Sequence, residues 1–268
     1  MTPPKTAIVI PARYASSRYP GKPLATLTGA TGETKPLIRR SWEAARQVPG
    51  VAHIVVATDD VRIADAVHAF GGAVAMTPES CANGTERCAA ALPALGDVEI
   101  VVNFQGDALL TPPHFVGALI EAMLADESIA VATPAIVAGP VTHRRLVEDQ
   151  AQGRVGGTTV VCDARGNGLY FSKSVIPHVP ADRIGEAGLP VRLHVGVYAY
   201  RRFALERYAQ HPASALEGLE GLEQLRFLDA GVPVRVIDVD PHGADIWELN
   251  NPSDVAPIER ALAARGIA

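Results

Sequence analysis

The sequence predicts an α/β fold built on a doubly wound, mostly parallel sheet, with a smaller mixed-sheet lobe in its second half. Short runs rich in Val and Ile alternate with amphipathic segments through the first half of the 268 residues. Continuous apolar runs are typical of strands covered by helices on both faces. The repeated strand–helix order favours parallel strands joined by crossover helices.

The elements follow in this order. In the first half, the runs AIVI, HIVVAT, EIVVNF and IAVAT predict strands at 7–10, 53–58, 99–104 and 129–133. Apolar residues at helical spacing predict helices between them at 37–47, 61–70, 85–95 and 112–126. In the second half, strands are predicted at 158–162, 194–200 and 234–239, and helices at 215–230 and 252–265. Longer loops and alternating polarity there indicate mixed or antiparallel strands, and we treat 1–268 as one domain.

Composition excludes several classes of function. The net charge of −5 argues against a nucleic-acid or membrane-surface partner bound through bulk charge. The three cysteines form no C-x-x-C pair, so we expect free thiols in a reducing cytosol. The N-terminal residues do not resemble a signal peptide, and no run approaches the ~18 apolar residues of a membrane helix. We therefore expect a cytoplasmic protein.

A cationic loop follows the first predicted strand. The stretch IPARYASSRYPGKPL, 10–24, carries Arg13, Arg18 and Lys22 around Gly21. Ligands of such sheets bind beyond the carboxyl ends of the strands, where this loop is expected to lie. Three cations and backbone N–H groups suit a triphosphate and a leaving pyrophosphate. Solvated surface charges on a turn remain the alternative, and neither G-x-G-x-x-G nor a P-loop motif is present.

A second polar group follows the predicted strand at 99–104. The segment VVNFQGD ends in Asp107, which suits a hard divalent cation that prefers carboxylate and phosphate oxygens. The amide of Gln105 offers a donor and an acceptor to a base edge. Helix capping explains Asp107 less well, because Thr111 and Pro112 already supply a helix start.

Seven motifs together resemble one family. They are IPARYASSRYPGKPL, VVATDD, GTER, NFQGD, GLYFSKSVIP, HVGVYAYR and LEGLEGLEQLR, and they extend over nearly the whole chain. Their order and approximate spacing are similar to those of the CMP-Kdo synthetase family, the 3-deoxy-manno-octulosonate (Kdo) cytidylyltransferases. Any one of these motifs would be a weak signal, but so many in order are specific.

The resemblance implies a nucleotide-diphospho-sugar transferase-like fold, a reaction and a set of site residues. CMP would pass from CTP to the anomeric hydroxyl of Kdo or a Kdo-like 3-deoxy keto-sugar acid, with release of pyrophosphate, in a Mg²⁺-dependent homodimer. The pathway would be lipopolysaccharide, capsule or specialised sugar biosynthesis. The half 1–135 would bind the nucleotide, and 136–268 would bind the acceptor and form the dimer.

The resemblance also implies site residues. The implied catalytic residues are Arg13, Lys22 and Asp107, and Asp107 would also hold Mg²⁺. Those implied around the nucleotide are Pro11, Ala12, Arg13, Arg18, Lys22, Asn83, Gly84, Thr85 and Gln105. Those implied around the sugar acid are Lys173, His194, Tyr198, Glu220, Glu223 and Gln224.

Two patterns bear on the acceptor half. His194 and Tyr198 lie four residues apart in a predicted strand, so both should project to one face. In the predicted helix 215–230, leucines recur at positions 216, 219, 222, 225 and 228, which is more typical of a core or a dimer seam than of a site.

The sequence also departs from the family pattern. Ala108 and Leu109 replace an expected Glu-Pro, Lys173 replaces an Arg, and Thr159 replaces a Lys. About five extra residues, 30–34, lengthen a turn. Lys173 keeps the charge but loses the bidentate fork that an arginine offers to a carboxylate. Because these changes fall mainly where the acceptor should bind, they suggest a retained CTP donor and an altered acceptor.

The most serious departure concerns the second metal carboxylate. Asn250 stands where the family has an Asp, and a neutral amide binds Mg²⁺ less well than a carboxylate. Asp245, Glu248 or Asp240 would replace it, and Asp245 is our preference.

Three other functions stay open at this point. CMP transfer to a different carboxylated acceptor is one. A GT-A-type glycosyltransferase is another, since Asp238, Val239 and Asp240 spell the metal-binding D-x-D motif. A non-catalytic nucleotide-binding paralogue is the third, motivated by Asn250.

Overall fold

A computed structural model describes residues 5–16, 18–244, 246 and 248–268. The chain divides into two compact units, Met1–Gly117 with Pro241–Ala268, and Ala118–Asp240. The functional assignment of the halves 1–135 and 136–268 stays a prediction. No helix in the described ranges is both long and apolar enough to cross a membrane.

The first unit carries the parallel part of the α/β fold. Its elements are β1 (Thr6–Ala12), β2 (Thr26–Thr28), β3 (Thr34–Pro36), α1 (Leu37–Ala45), β4 (His53–Thr58), α2 (Val61–Ala69), β5 (Ala73–Met76), α3 (Gly84–Ala91), β6 (Ile100–Asn103), the start of α4 (Pro113–Ala125) and, at the end of the chain, α9 (Val255–Ala264). The main strands lie in the order β5-β4-β1-β6 and all run parallel. Residues 7–10 of β1 are fully buried, as their continuous apolar run predicts.

A short hairpin in this unit was not predicted. Strands β2 and β3 pair antiparallel, and the extra residues 30–34 lie in or next to its turn. Three-residue strands are too short to leave a periodic pattern. Leu27 of the hairpin packs in one apolar cluster with Leu109 and with Ile258 and Leu262 of α9. Leu109 is thus a core residue, and its departure from the family pattern is a change in packing.

The second unit has the predicted mixed sheet. Its elements are β7 (Val131–Val137), α5 (Pro140–Ala151), β8 (Thr159–Cys162), β9 (Gly168–Ser172), β10 (Arg192–His194), β11 (Tyr198–Arg201), α6 (Arg202–Gln210), α7 (Ala215–Glu220), α8 (Leu225–Asp229) and β12 (Val234–Asp238). Strand β12 runs parallel to β7, whereas β10 and β11 pair antiparallel with it. Strands β8 and β9 extend the sheet beyond β10.

The single strand predicted at 194–200 is wrong in one respect, because it is two strands. Both β10 and β11 pair with β7, but the backbone leaves the ladder between them. There the N–H of Val197 donates to the carbonyl of Val195 at 2.7 Å, which closes a tight three-residue turn.

The single helix predicted at 215–230 is also two helices. Gly221 ends α7 in the left-handed conformation, with φ 61°, and its N–H donates to the carbonyl of Glu217 at 2.7 Å. The leucine pattern therefore does not form one stripe. Leu216 and Leu219 are 45% and 85% exposed, whereas Leu222 and Leu225 are buried.

Candidate functional site

The cationic loop and the Asp107 segment meet at one cavity in the first unit. The cavity has a volume of about 230 Å³. It is lined by Pro11, Ala12, Arg13, Ser16, Arg18, Lys22, Pro23, Leu37, Cys81, Ala82, Asn83, Gly84, Arg87, Gln105, Gly106, Asp107 and Asn250. Every predicted nucleotide residue is among them except Thr85, which is fully buried behind the surface.

Parallel neighbours bring two of these segments together. Strands β1 and β6 are adjacent and end at the same edge, so residues 11–13 and 105–107 are side by side. Gly106 makes the close approach possible, because a Cβ there would lie 2.7 Å from the carbonyl oxygen of Pro11. The hydroxyl of Ser41 in α1 donates to the carbonyl of Gly106 at 2.8 Å and holds the turn.

The start of α3 forms another part of the cavity wall. The side chain of Asn83 caps this helix by accepting the N–H of Glu86 at 2.8 Å. Gly84 allows the amide of Gln105 to pack against the helix start, since a Cβ would lie 3.0 Å from its Nε2. A helix N-terminus carries partial positive charge, which favours an anionic ligand.

Arg87 lines the cavity but is not among the predicted nucleotide residues. Its guanidinium is buried, pairs with Asp59 at 2.8 Å and donates to the hydroxyl of Thr77 at 2.7 Å. This contact ties α3 to the loop after β4. The motifs GTER and VVATDD contain both charged partners, but sequence spacing alone does not show that they pair.

Opposite charges face each other inside the cavity. The ammonium of Lys22 donates to the carboxylate of Asp107, and both side chains are largely buried. Arg18 donates to the amide oxygen of Asn250 at 3.2 Å. In this state Lys22 neutralises Asp107, and Arg13 and Arg18 remain exposed at the rim.

A second carboxylate accompanies Asp107. Burial and the negative charge of Asp107 raise the pKa of half-buried Glu248 to about 7, although a hydrogen bond with Asn250 opposes the shift. Of the three carboxylates proposed to replace the one lost at Asn250, Glu248 is thus electrostatically coupled to Asp107. Asp240 belongs to the second unit, and Asp245 lies outside the described residues.

This donor set fits a hard divalent cation. Carboxylate oxygens are the ligands that Mg²⁺ prefers, and two mutually repelling carboxylates are relieved by a cation between them. No group of three or more His, Cys, Asp or Glu side chains suited to a metal occurs among the residues that the structure describes. The protein would therefore supply only part of a coordination shell, as is usual for Mg²⁺ bound together with a phosphate.

Three of the predicted acceptor residues lie together in the second unit. The rings of His194 and Tyr198 are 5.5 Å apart between centroids, so the strand break does not separate them. The Tyr198 hydroxyl donates to Oε1 of Gln224 at 3.0 Å, while Nε2 of Gln224 is buried without a hydrogen-bond partner in the described part of the chain. Burial lowers the pKa of His194 to about 3.

The other three predicted acceptor residues are placed differently. The Glu220 carboxylate accepts from the Ser172 hydroxyl at 2.7 Å and from the Lys173 backbone N–H at 2.9 Å. Its oxygens are therefore largely used by β9. The side chain of Lys173 is exposed, and Glu223 lies in the turn between α7 and α8.

Two further positions have structural explanations. Thr159 is buried, and its hydroxyl donates to the carbonyl of Ser174 at 2.8 Å. Asp238, the first residue of the D-x-D triplet, forms a two-pronged ion pair with Arg192 at 2.7 and 2.9 Å. That pairing leaves the D-x-D interpretation without support.

Comparison with known proteins gives consistent results. The cytidylyltransferase family model matches residues 7–236. The 3-deoxy-manno-octulosonate cytidylyltransferase of Maricaulis maris is 46% identical over 259 residues, which cover 96% of this chain and 97% of that protein. The Escherichia coli enzyme of the same name is 39% identical, with 98% of each chain covered.

A solved structure extends the likeness to three dimensions. The structure of CMP:2-keto-3-deoxy-manno-octonic acid synthetase complexed with CTP superposes with a TM-score of 0.83 at 36% sequence identity. The match covers 97% of this chain and 99% of that one.

Proposed function

Since the chain belongs to the 3-deoxy-manno-octulosonate cytidylyltransferase family, we propose that it transfers CMP from CTP to the anomeric hydroxyl of Kdo. It is a CTP-dependent nucleotidyltransferase. In this reaction the hydroxyl oxygen attacks the α-phosphorus, a new P–O bond forms, and the bond to pyrophosphate breaks. The relatives' shared name does not favour the altered acceptor suggested by the sequence departures, and Leu109 and Thr159 have structural explanations.

One observation carries the proposal for the nucleotide. The cavity of the first unit combines Arg13, Arg18 and Lys22 with Asp107 and an amide-bearing wall at Gln105. Fixed cations lower the barrier by neutralising charge that builds up on the leaving pyrophosphate. The amide of Gln105 supplies the donor and acceptor that a cytosine edge needs.

Mg²⁺ is part of the proposal. Asp107 would hold it, with Glu248 as the second carboxylate, and the assignment of Asp245 stays a prediction. When bound, the ion would polarise phosphate oxygens and neutralise their charge. Lys22 would then exchange Asp107 for a phosphate oxygen, so the same ammonium serves the empty and the loaded site.

The acceptor is proposed to bind through the second unit. His194, Tyr198 and Gln224 form one cluster, in which the amide N–H of Gln224 has no hydrogen-bond partner among the described residues, and this polar cluster suits a polyhydroxylated sugar. Lys173 offers the cation for the sugar's carboxylate. We further propose a cytoplasmic homodimer, in which the exposed Leu216 and Leu219 of α7 lie at the subunit interface.

The decisive test is release of pyrophosphate from CTP and Mg²⁺ in the presence of Kdo. Turnover should require both CTP and Kdo. Asp107→Asn should lower turnover by about two to three orders of magnitude because one of the groups that stabilise the transferring phosphate is lost.

The matched control is Asp97→Asn, which neutralises an exposed carboxylate outside the cavity. Both variants should retain wild-type circular dichroism. Tight CTP binding with no turnover on Kdo would identify a non-catalytic paralogue, and sugar transfer without pyrophosphate would show a glycosyltransferase. Near-normal activity of Asp107→Asn would exclude Asp107 as the principal Mg²⁺ ligand.

A further inference from the structure

A buried hydroxyl lies next to the ring of His194. Thr133 in β7 is fully buried, and its Oγ1 is 2.9 Å from Nε2 of His194. The same oxygen is 2.7 Å from the carbonyl oxygen of Val197 and 3.4 Å from that of Val195. Thr133 therefore contacts both sides of the break between β10 and β11.

The geometry decides which atom donates. A threonine hydroxyl has one hydrogen and two lone pairs, and a carbonyl oxygen can only accept. The hydrogen must go to Val197, whose carbonyl is the nearer of the two. Toward His194 the Thr133 oxygen can then only accept, so Nε2 of His194 carries the N–H.

The other ring nitrogen is left without a hydrogen. Since burial lowers the pKa of His194 to about 3, the ring is neutral at physiological pH and carries only one N–H. The aromatic rings of Phe171 and Tyr198 pack around it, with centroids at 5.2 and 5.5 Å. Nδ1 makes no hydrogen bond within the described residues, and His194 is half-buried, so no described residue uses its lone pair.

We propose that Thr133 is a positioning residue that fixes His194 as the Nε2–H tautomer, so that Nδ1 accepts a hydrogen bond from a hydroxyl of the sugar acid. This inference rests on the proposed function. A ring nitrogen without hydrogen repels a carboxylate. His194 would therefore bind a hydroxyl of the sugar acid, and other residues would bind its carboxylate. The contact therefore distinguishes a hydroxylated acceptor from one that lacks the group at this position.

The first test is spectroscopic and needs no turnover. Long-range ¹H–¹⁵N correlation spectra of the labelled full chain report which ring nitrogen carries hydrogen. The wild type should show a protonated Nε2 and a bare Nδ1. Thr133→Val should lose this preference, Thr133→Ser should keep it, and Thr111→Val, which removes a buried hydroxyl in the first unit, should not change it.

The second test is kinetic. Losing one hydrogen bond of ordinary strength should raise KM for Kdo by about tenfold in Thr133→Val. The KM for CTP should be unchanged, and Thr133→Ser should restore the value for Kdo. A general loss of structure would instead affect both substrates and kcat.

The outcomes are distinguishable. A wild-type ring with hydrogen on Nδ1 overturns the inference, as does a Thr133→Val protein with unchanged tautomer and unchanged KM. If Thr133→Val does not fold, the wild-type spectrum and the Thr133→Ser variant still decide the tautomer. If the tautomer is as proposed but CTP and Kdo give no pyrophosphate, the proposed function fails and the assignment of the ring hydrogen stands.

Discussion

The carboxylate of Glu248 should make the protein less stable as pH rises, and Glu248→Gln should remove this contribution. The raised pKa means that folded Glu248 stays protonated in a range where an unfolded glutamate is ionised. The folded state thus binds more protons between pH 4.5 and about 7. The resulting stability is fully present below that range and is lost as pH rises through it.

The magnitude follows from the two pKa values. Each pH unit of separation corresponds to about 1.4 kcal/mol, and the pKa is raised from 4.5 to about 7. Between pH 5 and pH 8 the wild type should lose at most about 2.5 kcal/mol through this group. Solvent that reaches the half-buried side chain reduces the figure.

The assay is urea unfolding at pH 5 and pH 8 in the presence of EDTA. The difference in unfolding free energy, Glu248→Gln minus wild type, should be up to about 2.5 kcal/mol larger at pH 8 than at pH 5. Glu99→Gln, in an exposed carboxylate, controls for the loss of one charge. An equal difference at both pH values would refute the reasoning, because it would show that the carboxylate is not destabilised in the fold.

The same variant tests the metal proposal without measuring turnover. A Mn²⁺ titration in the presence of CTP should show weaker binding to Glu248→Gln than to wild type, because an amide is a poorer ligand for a hard cation. Wild-type affinity in this variant would exclude Glu248 as a ligand. Weaker binding would mean that the carboxylate of Glu248 lowers stability when no metal is bound and contributes to binding the metal.

Two further predictions concern residues outside the chemistry. Leu109→Ala should lower the free energy of unfolding by about 2–5 kcal/mol, as expected for a leucine buried in an apolar cluster. Denaturant unfolding measures this change, and an unchanged midpoint would place Leu109 outside the core. Leu219→Glu should shift the mass in sedimentation equilibrium from dimer to monomer, since a charge at an interface core is unfavourable. Phe203→Glu, which places the same charge at another exposed apolar residue, is the control. A Leu219→Glu protein that stays dimeric would exclude α7 from the interface.

The sequence predicts the parallel sheet and the cavity of the first unit for a physical reason. Continuous Val/Ile runs have few alternatives to a helix-covered sheet, and parallel neighbours necessarily end at one edge. Arg13, Lys22, Gln105 and Asp107 therefore meet in the cavity as their positions after the strands predict.

What the sequence could not predict depends on contacts between distant residues. The break between β10 and β11 is held by the hydroxyl of Thr133, about sixty residues earlier. The pairing of Arg87 with Asp59 and the coupling of Glu248 to Asp107 arise likewise from folded distances. The helix break is different, because Gly221 was visible in the sequence but the leucine spacing concealed it.

Gly221 brings the backbone at the end of α7 close to the ammonium group of Lys173. A Cβ at this position would lie 3.0 Å from Nζ of Lys173, and φ is in the region that favours glycine. On either side of the glycine, Glu220 is held by β9 and Gln224 by Tyr198. A larger residue at 221 would therefore be strained by its own backbone and would require the Lys173 side chain to shift, so a redesign of either position should consider both.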